Sequence, residues 1–411
     1  MLRASQPQSY DYDSLQIATS RAVQAPRIWD ILGRSGLKSI IIGVPQTYPV
    51  QAMNGILIAG MLAPDTRGDI TWPSSVRSEI MGRFPGYALD IPDFRSLPPE
   101  KLAALIREMT RTRFAVLRHL LHTRTWDFAM MVEIGLDRLH HGFWHYWDIT
   151  HRLYPGTTSL ASVIPEYYSL LDEEIRETVA MLPDDTAVVI VSDHGAQPMK
   201  GGIRINEWLI RNGFLTLKRP PVSEEPLTAD MVDWKRTRAW GEGGYFGRIF
   251  LNVAGREPLG IIPPENRDRV REELAGRLES MTEPSEITCG TGERMGNQVI
   301  FPDRHFPVVR GNPPDLMVYF GQLAWRSLSG VGPSPGTFGD GMFTRKNDRG
   351  PDGANHDFFG IALGNIPAVP GTFDVPGNWN ITEVASFIRK YYGLNNVEYH
   401  DGTGNENSNA I

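Results

Sequence analysis

Apolar and polar positions along the 411-residue chain alternate between two periods. Residues 1–24 show neither and read as an extended lead-in. Pro26 stands where a first helical turn favours it, Ile28, Ile31 and Leu32 follow at helical spacing, and Gly36 supplies the stop. Lys38–Val44 (KSIIIGV) is a short apolar run ended by Pro45, the pattern of a buried strand. From Leu97 to about His122, Leu102, Leu105, Ile106, Met109, Leu117, Leu120 and Leu121 recur at three and four, which predicts a long helix. Asp127–Ile134 (DFAMMVEI) and Thr186–Val191 (TAVVIV) read as buried strands, with an amphipathic helix over 159–182 between them.

Further on, Asn206–Asn212 reads as a short helix closed by Gly213 and Glu265–Met281 as a charged helix. Leu316–Phe320 and Phe358–Leu363 read as strands, and Thr382–Tyr392 as a closing helix. Strands alternating with long helices predict an α/β fold with a doubly wound, mostly parallel sheet and helices on both faces. We expect a single domain over 25–400, an irregular Pro- and Gly-rich insertion at about 219–345, and a disordered tail at 401–411.

Composition narrows the function classes. Lys plus Arg is 41 and Asp plus Glu is 48, a formal charge of −7, and no basic run marks a nucleic-acid polymer binder. An acidic chain still accepts a phosphate ester where metal ions supply local positive charge. A single cysteine, Cys289, allows no disulfide within the chain and reads as a small core residue. There is no run of about 18 apolar residues and no signal-peptide pattern, so we expect no membrane segment and a cytoplasmic location.

Three motifs carry chemistry. Asp137 and His141 follow the 127–134 strand four residues apart, which puts a carboxylate and an imidazole on one side of a turn or helix. They suit a metal, or Asp137 simply caps a solvated helix start. Asp193-His194-Gly195 follows TAVVIV, at the carboxyl end of a strand where open sheets bind ligands. Gly195 would let the backbone turn sharply so that both side chains face one way. The plainer alternative is a polar turn. His356 sits in a Gly-rich loop before the 358–363 run, with Asp352 four residues earlier as an outer partner of a ligand. Together these make nearly the donor set for two divalent ions about 4 Å apart, the arrangement that clamps both oxygens of a phosphoryl transfer. That requires His356 to come within about 10 Å of Asp193 and His194.

In this order the segments APRIWDILGRSG, VPQTYPV with NGILIAG, GLDRLHHGFWHYWD, VIVSDHGAQPMKGGIRINEWLIRNGFL, GRIFLNVAGREPLGIIP, PPDLMVYF and GPDGANHDFFGIALG resemble the type I phosphodiesterase and nucleotide pyrophosphatase branch of the alkaline phosphatase superfamily. The resemblance implies a hydrolase of small-molecule phosphate esters. It implies one metal held by Asp137, His141 and His356. A second is held by Asp193 and His194 with an upstream Asp and a Thr or Ser nucleophile. Two divalent ions are implied, typically Zn2+, with Mn2+ in related mutases. The family's nucleophile segment precedes the part that here begins near residue 9, so we expect an N-terminally truncated chain, short of roughly a hundred residues, with no catalytic nucleophile. Thr47 matches a family position that is not the nucleophile. Two alternatives stay open: an inactive pseudoenzyme or scaffold keeping part of the metal site, and a phosphomutase or sulfatase of the same superfamily. Arg138 and Lys200 read as solvated cations, Phe143, Trp144, Tyr146 and Trp147 as a packed helix face, and Asn252, Arg256 and Glu257 as turn-fixing groups.

Overall fold

The computed structural model describes residues 2–3, 12, 15–284, 292–309, 311–345, 352–366 and 379–394. Cys289 and the 401–411 tail lie outside them.

The Ile-rich run forms the centre of the first sheet. Ser39–Ile42 pairs in parallel with Gly55–Ile58 on one side and with Phe128–Met131 on the other, and Thr71–Trp72 adds an antiparallel edge. Successive strand residues face opposite sides, and both sides are covered. Ile40, Ile42, Ile56 and Ile58 pack on Phe114, Val116, Leu117 and Leu120 of the Pro99–Thr123 helix. Ile41 and Leu57 pack on Trp29 of the Ile28–Arg34 helix. Gly55 is required here: at φ +131° a Cβ would stand 2.0 Å from the Ser39 carbonyl oxygen.

The predicted helices form with small boundary shifts. The 159–182 span begins as a 3-10 turn at Ser159–Ser162 and continues as an α-helix over Val163–Val179. The 265–281 span is helical over Arg267–Glu279, and the last helix is Glu383–Tyr391. The Ser75–Arg83 helix has no clear apolar stripe and escaped sequence reading.

One predicted strand is corrected. Phe358–Ile361 is a turn between two strands: Ala354–Asp357 pairs with Gly195–Pro198, and Ala362–Asn365 pairs with Val188–Val191, both antiparallel. The Asp357 carboxylate accepts the Phe359 N–H (3.0 Å) and the Ser192 hydroxyl oxygen accepts the Ile361 N–H (2.8 Å), which breaks the ladder. His356 therefore sits on a strand. The α/β class stands, with mixed rather than mostly parallel pairing among the described strands.

Much of the expected insertion is more regular than its Pro and Gly content suggested. Ala239–Glu242, Gly247–Leu251, Leu316–Tyr319 and Gln298–Ile300 form an antiparallel sheet. A second sheet joins Gly201–Arg204 to Trp325–Leu328 in parallel and to Phe343–Thr344 antiparallel. Their shared core includes Trp208, Phe250, Phe320 and Trp325. Tyr12 docks from the lead-in, stacked on Trp234 at 3.5 Å and donating to Asn252 Oδ1 at 2.7 Å. Among the described residues no helix is long and apolar enough to cross a membrane.

Candidate metal centre

The Gly135–Trp147 helix carries Asp137 and His141 in successive turns. It starts at Gly135, so Asp137 lies inside the first turn and is not its N-cap. Gly135 has no room for a side chain: a Cβ would meet the Tyr167 hydroxyl at 2.1 Å and Glu133 Oε1 at 2.6 Å. The strand pairing sets His356 opposite Ala196, two residues beyond His194. Helix and hairpin thus deliver their imidazoles to one carboxylate.

Asp137 Oδ1 is the focus. It lies 3.3 Å from His141 Nε2, 3.4 Å from His356 Nε2 and 3.9 Å from His194 Nε2. The His194 and His356 rings stack at 3.6 Å, well inside the 10 Å limit set above. Donor atoms of Asp137, His194 and His356 all fall within 4.8 Å of one another. Asp193 is the outlier: its side chain is 82% exposed, and its Oδ1 stands 3.6 Å from His194 Nε2 at the rim.

The tautomers follow from the outer contacts. His141 Nδ1 faces Asp352 Oδ1 at 2.7 Å and the Ala354 carbonyl at 2.9 Å, both acceptors, so Nδ1 carries a proton. His194 Nδ1 donates to the Gly195 carbonyl at 2.8 Å. In the neutral rings the Nε2 lone pairs are thereby aimed at Asp137. Nε2 of His141 and of His356 is buried and makes no hydrogen bond. Buried polar atoms left without partners fit a group that accepts lone pairs, and imidazole–carboxylate sets suit zinc and similar ions.

Protonation reports the same imbalance. Burial alone would raise the Asp137 carboxyl, but contacts from His141 and His356 outweigh it and hold the group well below the usual carboxylate range. Burial alone would lower His141, but Asp137 and Asp352 push it up to about 10. A proton here offsets the negative charge that a cation would offset. Burial lowers His356, against the pull of Asp137.

Several surrounding roles were not legible in the sequence. Arg138 is buried rather than solvated, and its guanidinium bonds Asp137 Oδ2 and Asp90 Oδ2, each at 2.6 Å. Asp352 takes an ion pair from Arg95 at 2.8 Å and has Arg326 Nη1 at 3.6 Å. Tyr245 lies against both His141 (5.4 Å) and His356 (4.1 Å), with the Arg326 guanidinium 5.0 Å from its ring. These residues are far apart in sequence and match no spacing rule. Gly195 plays a different part from the one expected: its φ is ordinary, but a Cβ would stand 2.1 Å from the Phe359 carbonyl oxygen. Lys200 pairs with Glu283 away from the centre. Phe143 is buried while Trp147 is 45% exposed. Arg256 and Glu257 do fix a turn, with Arg256 on Asp315 and Glu257 Oε2 accepting the Val253 N–H. The Thr47 hydroxyl is engaged by the Val44 carbonyl and the Gly60 N–H.

The sequence matches the type I phosphodiesterase / nucleotide pyrophosphatase family over residues 3–347. No curated protein matches it. Among solved structures, the murine ectonucleotide pyrophosphatase / phosphodiesterase 5 matches at 14% identity and TM-score 0.39, over 84% of this chain and 64% of that one. The human ectonucleotide pyrophosphatase / phosphodiesterase 5 matches at 14% and 0.40, over 87% and 68%. An inactive murine variant in complex with AMP matches at 13% and 0.37, over 83% and 62%. The chain thus spans less than two thirds of the length of the two murine structures. With its family match covering most of its residues, this chain belongs to the type I phosphodiesterase / nucleotide pyrophosphatase family.

Proposed function

We propose that this protein is a metal-dependent hydrolase of small-molecule phosphate esters, with two divalent ions, most simply zinc, at the Asp137 centre. The supporting observation is the convergence of three imidazole Nε2 atoms on Asp137 Oδ1, two of them buried and without hydrogen bonds. Asp137, His141 and His356 would hold one ion, and His194 with Asp193 would contribute to the other. Such ions supply Lewis-acid charge to phosphoryl oxygens. The protein's own contribution is orientation. Asp352 and the Ala354 carbonyl fix the His141 ring, the Gly195 carbonyl fixes His194, and Arg138 fixes Asp137.

A second reading, a phosphate-ester binder with little turnover, has one observation in its favour. Among the described residues, the Thr47 hydroxyl is engaged on both sides, donating to the Val44 carbonyl and accepting the Gly60 N–H. The convergence on Asp137 Oδ1 favours the hydrolase reading. The test is metal analysis with a phosphodiesterase assay. Bound zinc with phosphodiesterase turnover that is lost on chelation supports the hydrolase reading. Bound zinc without turnover favours the binder, and failure to bind divalent metal contradicts both readings.

A further inference from the structure

One helical turn beyond His141, about 6 Å along the axis, the same helix presents His145. Its Nδ1 is buried and makes no hydrogen bond. The chain then returns beneath it through His151, whose ring lies 6.1 Å from that of His145. His151 is 6% exposed. Its Nδ1 accepts the Leu153 N–H at 3.1 Å, so the neutral ring keeps its proton on Nε2. That Nε2 is buried, near the Gly353 and Met199 carbonyls but without hydrogen-bond geometry to either.

Arg152 completes the group. Its Nη2 donates to the Arg345 carbonyl at 3.0 Å, while Nε and Nη1 are buried and donate to nothing. The neighbouring charge that acts on it is another cation, Arg345. The nearby carboxylate, Asp148, is engaged elsewhere: one oxygen accepts from Thr150, the other from the Trp144 indole at 3.1 Å. Burial, His151 and Arg152 push His145 down to about 4, against the pull of the Asp352 carboxylate. Arg152 is only partly buried, but its Nε and Nη1 are shielded from solvent without an anion, and that desolvation is not offset by a partner. Four donor-capable nitrogens on three neighbouring side chains thus make no geometric hydrogen bond, with His151 Nε2 having two carbonyls nearby.

We propose that His145, His151 and Arg152 form a binding site for a small oxyanion of the phosphate or sulfate type, separate from the Asp137 centre. Arg152 provides the fixed charge and the two histidines provide donors. The anion is either free in solution or the second phosphate of a bound ester. The site itself needs no metal; only the ester-phosphate source rests on the proposed hydrolase function.

Calorimetric titration of the full chain with inorganic sulfate, with and without chelator, tests it. The site requires sulfate binding that survives chelation, falls at least tenfold in Arg152→Gln and is partly kept in Arg152→Lys. His145→Gln is the companion variant, and matched thermal unfolding checks that each variant folds. Sulfate binding equal to wild type in both Arg152→Gln and His145→Gln, or none in the chelated wild type at millimolar sulfate, overturns the proposal. Titration of the zinc-loaded chain with a nucleoside monophosphate and diphosphate separates the sources. Selective loss of diphosphate affinity in Arg152→Gln assigns the site to the substrate's second phosphate; loss of sulfate binding alone assigns it to free anion.

Discussion

The Nδ1 atom of His141 lies 2.7 Å from Asp352 Oδ1, 211 residues away in sequence, and Arg95 holds the other oxygen of that carboxylate at 2.9 Å. A carboxylate in this position orients an imidazole and raises its basicity as a ligand. Asp352→Asn keeps the shape and one acceptor oxygen but removes the charge. We expect zinc affinity to fall by about 10–100-fold while the far-UV spectrum is unchanged. Competition with a chromophoric chelator measures it, and unchanged affinity would remove Asp352 from the account.

Arg138 binds Asp137 from the opposite side. Arg138→Met keeps the apolar stem against Phe94 and deletes the charge. Breaking a buried pair costs about 3–5 kcal/mol. Here the Asp90 and Asp137 side chains keep 29% and 21% exposure, so about 2 kcal/mol is expected. Urea unfolding of the metal-free chain reads this directly, and a loss below about 0.5 kcal/mol, the range of ordinary surface substitutions, would show that the contact is not needed to hold Asp137.

Protonation gives a prediction with a definite sign. His141 has a folded-state pKa of about 10, above its unfolded value of about 6.5. Its contribution to the metal-free chain is fully present below pH 6.5 and is lost as pH rises through about 10. Asp137 and Asp352 are held below their unfolded values, so theirs is present above about pH 4 and lost in acid. The urea midpoint of the chelated protein should fall between pH 6.5 and 10, and His141→Gln should flatten that fall. Zinc affinity should move the other way and rise with pH, because the proton competes with the ion.

The sheet whose Phe128–Met131 strand leads into the Gly135–Trp147 helix has its own test. Ile41 is fully buried between Trp29 and Leu57. Ile41→Ala should cost about 2–5 kcal/mol, read as a lower urea midpoint with an unchanged slope. A cost under 1 kcal/mol would mean that the Ile28–Arg34 helix is not packed on this face as described.

How much of this was legible follows from the range of the forces. The Ile40–Ile42 run and the 99–123 helix announce themselves because burial imposes a local period. Asp137, His141, His194 and His356 were legible as a group because helix spacing and strand ends bring side chains together by rule, and these four side chains do converge. Asp193 was legible as a neighbour of His194, yet it stands exposed at the rim. The 358–363 run misled because its apolar side chains are not buried: Phe359 is 87% exposed and Leu363 58%. Arg95, Tyr245 and Arg326 reach the centre only through tertiary packing, and no local pattern encodes that. The regular sheets of the 239–328 region were hidden by turns rich in Pro and Gly between short strands.

Metal content measured on the purified chain after zinc saturation and desalting tests the central claim most directly, with Asp137→Asn and His356→Ala beside it. The account predicts at least one tightly held zinc per chain, lost in both variants, with folding retained. Equal zinc in wild type and variants, or a wild type that retains none, would contradict it.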